Sequence, residues 1–311
     1  MKSDLIPIIL NPAAGAGKAG RKLELLQNRM QRLGLKYQIF VSRSESDLKR
    51  LTRQLGSQHE IIVGAGGDST FHFMANELVQ LPRPATLGII GLGSSNDIPR
   101  EFNLTSLKTA LLSLKKGESR LIDLGALLVK DEVISYVFGQ VNLGLGVKVN
   151  EDVASLAGRW PVFQARQTLS GLIAIIKNYL NKKEMLLPLT VETRKKCYQG
   201  IFQVALLSNI RYWATGRKIV PQARPDDGQF DLFLMKPLPF FSLIKIALFS
   251  RSGKHFAASQ VILDQADYFK LSSSRKFRVQ ADGEILKRGN QPIETDSLEL
   301  KVVRRCLKII S

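Results

Sequence analysis

A chain of 311 residues has room for two hydrophobic cores, and two domains are expected. Its 44% hydrophobic and 23% charged content excludes general disorder, and two cysteines, Cys197 and Cys306, exclude a disulfide framework and suit a reducing compartment. The 45 Lys+Arg against 27 Asp+Glu, a formal +18, point to nucleic acid or an anionic membrane without choosing between them.

Leu5–Leu10 reads as a buried strand; it is too short, and too broken by Pro7, for a signal peptide, and no stretch of the chain reaches the ~18 apolar residues of a bilayer span. The loop Asn11–Lys18 is not a Walker A motif, because Pro12 and Ala19 stand where Gly and Ser/Thr are required. Leu23, Leu25, Leu26, Met30 and Leu33 form a mostly helical stripe stopped by Gly34. A strand at Tyr37–Ser42 follows, and Ser44–Asp47 starts the next helix with cap-forming residues.

The run Ile61–Thr70 then reads as a buried strand (Ile61–Val63), a glycine turn, Asp68, and a helix from about Thr70 to Val79. Such a loop turns backbone N–H groups outward at a helix N-terminus and makes an anion site. A carboxylate beside phosphates is repulsive unless a cation or a proton transfer uses it, so Asp68 points to metal-assisted phosphoryl transfer. A tight turn capped by Asp is the plainer reading. Strands at Thr86–Leu92 and Arg120–Leu124 enclose the loop Gly93–Asp97 and a helix over about Ser106–Lys116. Alternating strands and helices predict a doubly wound, mainly parallel α/β sheet, with the polar loops at 11–18, 64–70 and 93–97 gathered at one end.

From Gly125 short alternating runs take over, at Ala126–Val129, Val133–Val141, Leu187–Thr193, Phe202–Leu207, Phe230–Leu234, Val261–Ile262 and Phe277–Gln280. They predict a mainly antiparallel β-sandwich. Leu169, Leu172, Ile173, Ile176 and Leu180 form a helical stripe, either packed on its own sheet or facing a membrane. The turn Pro221–Gly228 offers Asp226 or Asp227 to a metal, or is a type I turn headed by Asp. Ala281–Glu284 reads as a hairpin turn with two carboxylates at its tip. His59, His72 and His255 share no ligand spacing.

These motifs, in order and over nearly the whole chain, resemble the diacylglycerol kinase catalytic-domain family, in particular its soluble bacterial lipid kinases. The family's Asn-Pro-x-Ala/Ser-Gly loop is seen at Asn11–Gly15, its Gly-Gly-Asp-Gly-Thr at Gly66–Thr70, and its Leu-Gly-Thr-x-Asn-Asp at Leu92–Asp97. Its Pro-x-Ala-x-x-x-Asp-Gly is seen at Pro221–Gly228 and its Asp-Gly-Glu at Asp282–Glu284. A lone Gly-Gly-Asp is shared with NAD kinases and phosphofructokinases; the ordered set is specific.

The resemblance implies an NAD-kinase-like nucleotide-binding domain over 1–124 and a β-sandwich lipid-substrate domain over 125–294, with the active site in the cleft between. It leaves open that the tail at about 295–311 returns to the first domain. Gly66, Gly67, Asp68, Ser69 and Thr70 would cradle ATP phosphates, with Asn11, Ser42, Ser94 and Asn96 nearby. Glu284 would take the proton from a lipid hydroxyl, and Asp227 with the carbonyls of Arg224 and Gln229 would hold Mg²⁺. Asp68, Asp97 and Asp123 would form the acidic network linking metal, water and nucleotide, with Asp68 and Asp97 catalytic beside Glu284. The implied partners are a lipid substrate and the anionic inner face of a membrane, where a cytoplasmic enzyme binds peripherally, with room for a homodimer. Lys182, Lys183, Arg194, Lys195 and Lys196 would be part of the contact face.

Four departures from the pattern stand out: Ser69 for Gly, Ser94 for Thr, His72-Phe73 for Asn-Glu, and Gly91 for Pro. A left-handed conformation at Ser69 would cost roughly 1–2 kcal/mol. A soluble kinase for NAD or a sugar phosphate fits the glycine loop but not the other loops or the basic surface. A degenerate lipid-binding sensor fits the altered 69–73 region. A nucleic-acid-binding protein finds no recognition motif and is opposed by the acidic loops.

Overall fold

Four hydrophobic runs, β1 (Ile6–Leu10), β2 (Tyr37–Val41), β3 (Ile61–Gly66) and β4 (Thr86–Gly91), pair in parallel in the order 2-1-3-4. Ile8, Ile9, Ile62, Val63, Leu87 and Ile90 are fully buried, as both faces of a parallel sheet require. The crossovers are α1 (Lys18–Arg21), α2 (Leu23–Arg32), α3 (Glu45–Gln58) and α4 (Asp68–Leu78). After β4 come α5 (Asp97–Glu101) and α6 (Leu107–Lys116), the latter started by a Ser106–Thr109 capping box and ended by left-handed Gly117.

The computed structural model describes residues 5–159, 173–174, 176–177, 186–242 and 260–311. The chain divides into two units. The first holds the residues up to Leu124 and two later segments, Tyr212–Gly216 and Val303–Ser311; the second holds Gly125–Arg211 and Arg217–Val302. The returning C-terminal segment pairs in parallel with β4, Ile309 against Leu87. Asp123, on the strand β5 (Ser119–Val129), is fully buried and accepts the Arg305 N–H at 2.7 Å, where Arg305 is left-handed. Asp123 thus pins the returning strand.

In the second unit the far half of β5 pairs with β6 (Glu132–Val137), and β7 (Gln140–Gly144) leads into α7 (Leu145–Arg159). Then come β8 (Leu187–Glu192), β9 (Cys197–Phe202), β10 (Val204–Ser208) and the short β11 (Tyr212–Trp213) and β12 (Arg217–Lys218). The remaining strands are β13 (Phe230–Met235), β14 (Val261–Ala266), β15 (Tyr268–Arg278), β16 (Gln280–Ala281), β17 (Glu284–Ile285), β18 (Lys287–Arg288), β19 (Gln291–Pro292) and β20 (Glu294–Ile310). One antiparallel sheet runs β14-β13-β10-β7-β16-β17. A second pairs β20, β15, β8 and β9.

Alternate residues of each sheet, among them Val141, Leu143, Leu207, Phe230 and Leu232 from one and Leu189, Val191, Phe269 and Leu271 from the other, share one core. This is the expected β-sandwich, built on period two. The expected single strand Val133–Val141 is two strands, broken at Phe138–Gly139, whose amides are taken by a side chain from the far end of the unit (below). β9, with only Tyr198, Gly200 and Phe202 turned inward and the rest exposed, escaped the sequence pattern. The stripe around Leu169–Leu180 lies largely outside the described residues, as do Lys182 and Lys183. Among the described residues no helix is long and apolar enough to cross a membrane.

Candidate active site

The three glycine loops of the first unit meet. The amides of Leu92 and Gly93 donate to the Gly66 carbonyl at 2.7 and 3.1 Å, and the Asn11 amide donates to the Ala65 carbonyl at 2.9 Å. Asn11 Nδ2 donates to Thr70 Oγ1 at 3.0 Å, so the first loop is tied to the start of α4. A Cβ at Gly93 would lie 2.5 Å from Gly67 Cα; only glycine lets these two turns touch. Asn96, left-handed, accepts the Gly93 amide with Oδ1 at 2.9 Å and donates from Nδ2 to the Gly93 carbonyl at 3.0 Å, closing the third loop on itself. Ser94 is exposed, whereas Ser42 is buried and donates its hydroxyl to the Leu10 carbonyl at 3.2 Å.

α4 begins at Asp68, two residues before the expected Thr70, and no side chain caps it. Its first N–H groups therefore have no side-chain acceptor at the N-cap, the condition for an anion site. Ser69 sits in the first turn of α4, outside the left-handed region, so the strain expected for replacing glycine there does not arise. His72 is buried, and Lys49 Nζ of α3 lies 4.7 Å from the Phe73 ring, so these substitutions serve helix packing.

The carboxylates of Asp68 and Asp97 act in series. Asp68 accepts the amides of Asp97 at 3.2 Å and Ile98 at 2.9 Å, capping α5 from another loop. Asp97 accepts the amides of Thr215 at 3.2 Å and Gly216 at 2.6 Å. Ala214, Thr215 and Gly216 are all left-handed, a run whose N–H groups form an anion-binding nest; its anion here is Asp97. Arg100 stacks over Tyr212 at 5.8 Å, and its Nε is buried without a hydrogen-bond partner among the described residues.

Neither Arg100 nor the Tyr212–Gly216 strap was legible as part of the site, since the strap's residues carry no motif of their own. Gly216→Ala is expected to lower stability by about 1–2 kcal/mol through left-handed strain alone. Its Cβ would also meet Arg100 Nε at 2.7 Å. Thermal melting measures the effect, and unchanged melting would show that the strap is not held as described.

In the second unit Asp282 and Gly283 are both left-handed and join Ala281 to Glu284 as a two-residue hairpin turn. The two carboxylates expected at its tip part company. Asp282 turns inward, only 8% exposed, and accepts the amides of Phe138 (2.8 Å), Gly139 (2.6 Å) and Gln140 (2.8 Å). Glu284 stays half-buried on β17.

In the loop before β13, Asp227 Oδ1 accepts the Gln229 amide at 3.0 Å around left-handed Gly228, while Asp226 pairs with Arg224 at 3.4 Å. Among the described residues no three His, Cys, Asp or Glu side chains gather as a metal centre, so a cation here would rely on Asp227 and backbone carbonyls. An all-oxygen donor set suits Mg²⁺. Asp231, which the sequence did not single out, is 1% exposed, and burial together with the nearby Asp227 carboxylate pushes its pKa up to about 6. A cation at Asp227 would relieve that repulsion, so the residues present fit the ion.

In chelator, the folded chain binds the Asp231 proton more tightly than the unfolded chain between pH 3.8 and about 6. Stability should therefore fall as pH rises through that window and level off above it. Asp231→Asn should flatten this slope in chemical denaturation, and an unchanged slope would remove Asp231 as its source. Of the basic residues expected at a membrane, Arg194 is paired with Asp267 at 3.4 Å and Lys196 with Asp264 at 2.9 Å.

Residues 6–127 match the family described as the diacylglycerol kinase catalytic domain, and residues 139–311 match the YegS C-terminal NAD kinase β-sandwich-like domain. A diacylglycerol kinase of Staphylococcus carnosus is 26% identical over 284 residues, covering 89% of this chain and 87% of its own. One of Bacillus subtilis is 25% identical over 289 residues, covering 89% and 88%. The crystal structure of a diacylglycerol kinase from Bacillus anthracis superposes with a TM-score of 0.71 at 15% identity, covering 100% of this chain and 97% of that one.

Proposed function

Because the chain belongs to the diacylglycerol kinase family, with a catalytic domain of that type followed by a YegS-type sandwich, we propose that it transfers the γ-phosphate of ATP to a lipid hydroxyl, most simply that of a diacylglycerol. The observation that carries this reading is the convergence of three glycine loops on the uncapped N-terminus of α4. The N–H groups of Gly67, Asp68 and Ser69 would face the phosphates, with Gly66, Thr70, Asn11, Ser42, Ser94 and Asn96 shaping the bed. Arg100, stacked over Tyr212 beside this cluster, would meet phosphate charge.

Asp68 and Asp97 act as positioning residues in this reading. They accept backbone amides and hold the loops at fixed spacing. Glu284 is the general base: its carboxylate takes the hydroxyl proton as the lipid oxygen bonds to the γ-phosphorus and ADP leaves. Asp227, with the carbonyls of Arg224 and Gln229, would hold Mg²⁺, which neutralises charge and braces the loop. A lipid acceptor implies reversible binding to the cytoplasmic face of an anionic membrane, in keeping with +18. A homodimer is compatible with this reading.

Labelled ATP incubated with the chain and a total lipid extract tests it. Label should pass to a chloroform-soluble product, and the identity of that product names the acceptor. Label passing instead to NAD or a sugar phosphate, or no transfer with ATP bound, would replace the reading by a soluble-acceptor kinase or a lipid-binding sensor.

A further inference from the structure

The strap Tyr212–Gly216 belongs to the first unit and touches the Arg100 guanidinium at two places. The Tyr212 ring lies 5.8 Å from Arg100 Cζ. A Cβ at Gly216 would lie 2.7 Å from Arg100 Nε, 2.9 Å from Cζ and 3.2 Å from Nη2. Such similar distances to three atoms of one plane put the glycine over the face of the guanidinium, not at its edge. Arg100 thus fills the space that a side chain at 216 would take.

The strap is fixed by contacts that do not involve the Arg100 side chain. Asp97, one turn earlier on α5, accepts the Thr215 and Gly216 amides at 3.2 and 2.6 Å, and α5 is itself capped by Asp68 of the glycine loop. Glycine loop, α5 and strap therefore share one frame, and the strap sets where the guanidinium sits within it. Ala214 and Thr215 are left-handed without being glycine, at φ 49° and 72°. Strained backbone of this kind is found at ligand clamps, where the surrounding contacts hold it.

A guanidinium held by a carboxylate is neutralised along its hydrogen-bonding edge. One held through its face by a ring and a glycine keeps its charge and its in-plane N–H groups for an anion. The carboxylate one turn earlier, Asp97, is engaged by the strap amides, and Arg100 forms no ion pair among the described residues. A stacked arginine beside a bed of backbone N–H groups suits a polyphosphate, whose neighbouring oxygens match the planar fork.

We propose that Tyr212 is a positioning residue for nucleotide binding: with Gly216 it seats the face of the Arg100 guanidinium, so that the N–H edge is presented to the polyphosphate of ATP. This rests on the kinase reading above, but only on its nucleotide-binding half, and the test contains no lipid.

ATP binding to the full chain is measured by calorimetry for wild type, Tyr212→Phe, Tyr212→Leu, Arg100→Gln and the double variant Tyr212→Leu with Arg100→Gln. Arg100→Gln should weaken ATP about tenfold or more, as for a lost hydrogen bond to a charged group. Tyr212→Leu should weaken it about two- to fivefold, as for a half-exposed cation–π contact. Tyr212→Phe keeps the ring and should stay within about twofold of wild type. The double variant should bind no more weakly than Arg100→Gln alone, because Tyr212 then has nothing to position. Added salt should weaken ATP less in Tyr212→Leu than in wild type, since a charge contact is lost.

Losses that multiply in the double variant would overturn the assignment. So would equal losses in Tyr212→Phe and Tyr212→Leu, or ATP binding unchanged in Tyr212→Leu. A wild-type chain that binds no ATP overturns the seat and the kinase reading together, whereas one that binds ATP and transfers nothing to lipid overturns the transfer alone. Should Tyr212→Leu fail to fold by thermal melting, Tyr212→Met, which keeps bulk without a ring, is read in its place with the same loss expected.

Discussion

Glu284→Gln is expected to lower turnover by about 10²–10⁴-fold, the usual contribution of a general base. ATP affinity and melting temperature should stay near wild type. Glutamine keeps the shape and the β17 pairing with Ala281, and removes only the ability to accept a proton. The acceptor hydroxyl then has to lose its proton to water as it attacks. Single-turnover kinetics with bound ATP isolates this step from binding. Parallel loss of ATP affinity or of melting temperature would show that Glu284 holds the fold, and the base would have to be sought elsewhere.

Two residues earlier the same kind of side chain should behave in the opposite way. Asp282→Ala is expected to cost roughly 3–5 kcal/mol of folding stability, because three buried amides lose a charged acceptor at once. The Phe138, Gly139 and Gln140 amides lie at the break between β6 and β7, and the left-handed Asp282 also shapes the hairpin that carries Glu284. Asp282→Asn keeps a neutral acceptor and should lose markedly less. Chemical denaturation of both variants measures the difference. An alanine variant as stable as wild type would mean that water replaces the carboxylate, and the hairpin would need another anchor.

Much of the architecture is written locally. The apolar runs Leu5–Leu10, Ile61–Val63 and Thr86–Leu92, each followed by glycine and a helical stripe, specify a parallel sheet with its loops at one end, because side-chain period and turn chemistry are properties of a few adjacent residues. The alternation after Gly125 specifies a sandwich for the same reason, and the ordered motifs place the chain in its family. The weak alternation of β9 hid that strand, since an edge strand buries too little to leave a pattern.

What the linear pattern does not carry is the set of long-range carboxylate contacts. Asp97 meets Gly216 across 119 positions, Asp282 meets Phe138 across 144, and Asp123 meets Arg305 across 182. Each joins a side chain to a backbone amide, and any residue but proline offers that amide, so the partner leaves no mark in the sequence. Sequence alone thus determined the class of each unit, the family and the loops that bear its motifs. Tertiary structure decided which acidic residues are spent on backbone amides, because only packing fixes whether a carboxylate finds its hydrogen-bond donors inside the protein.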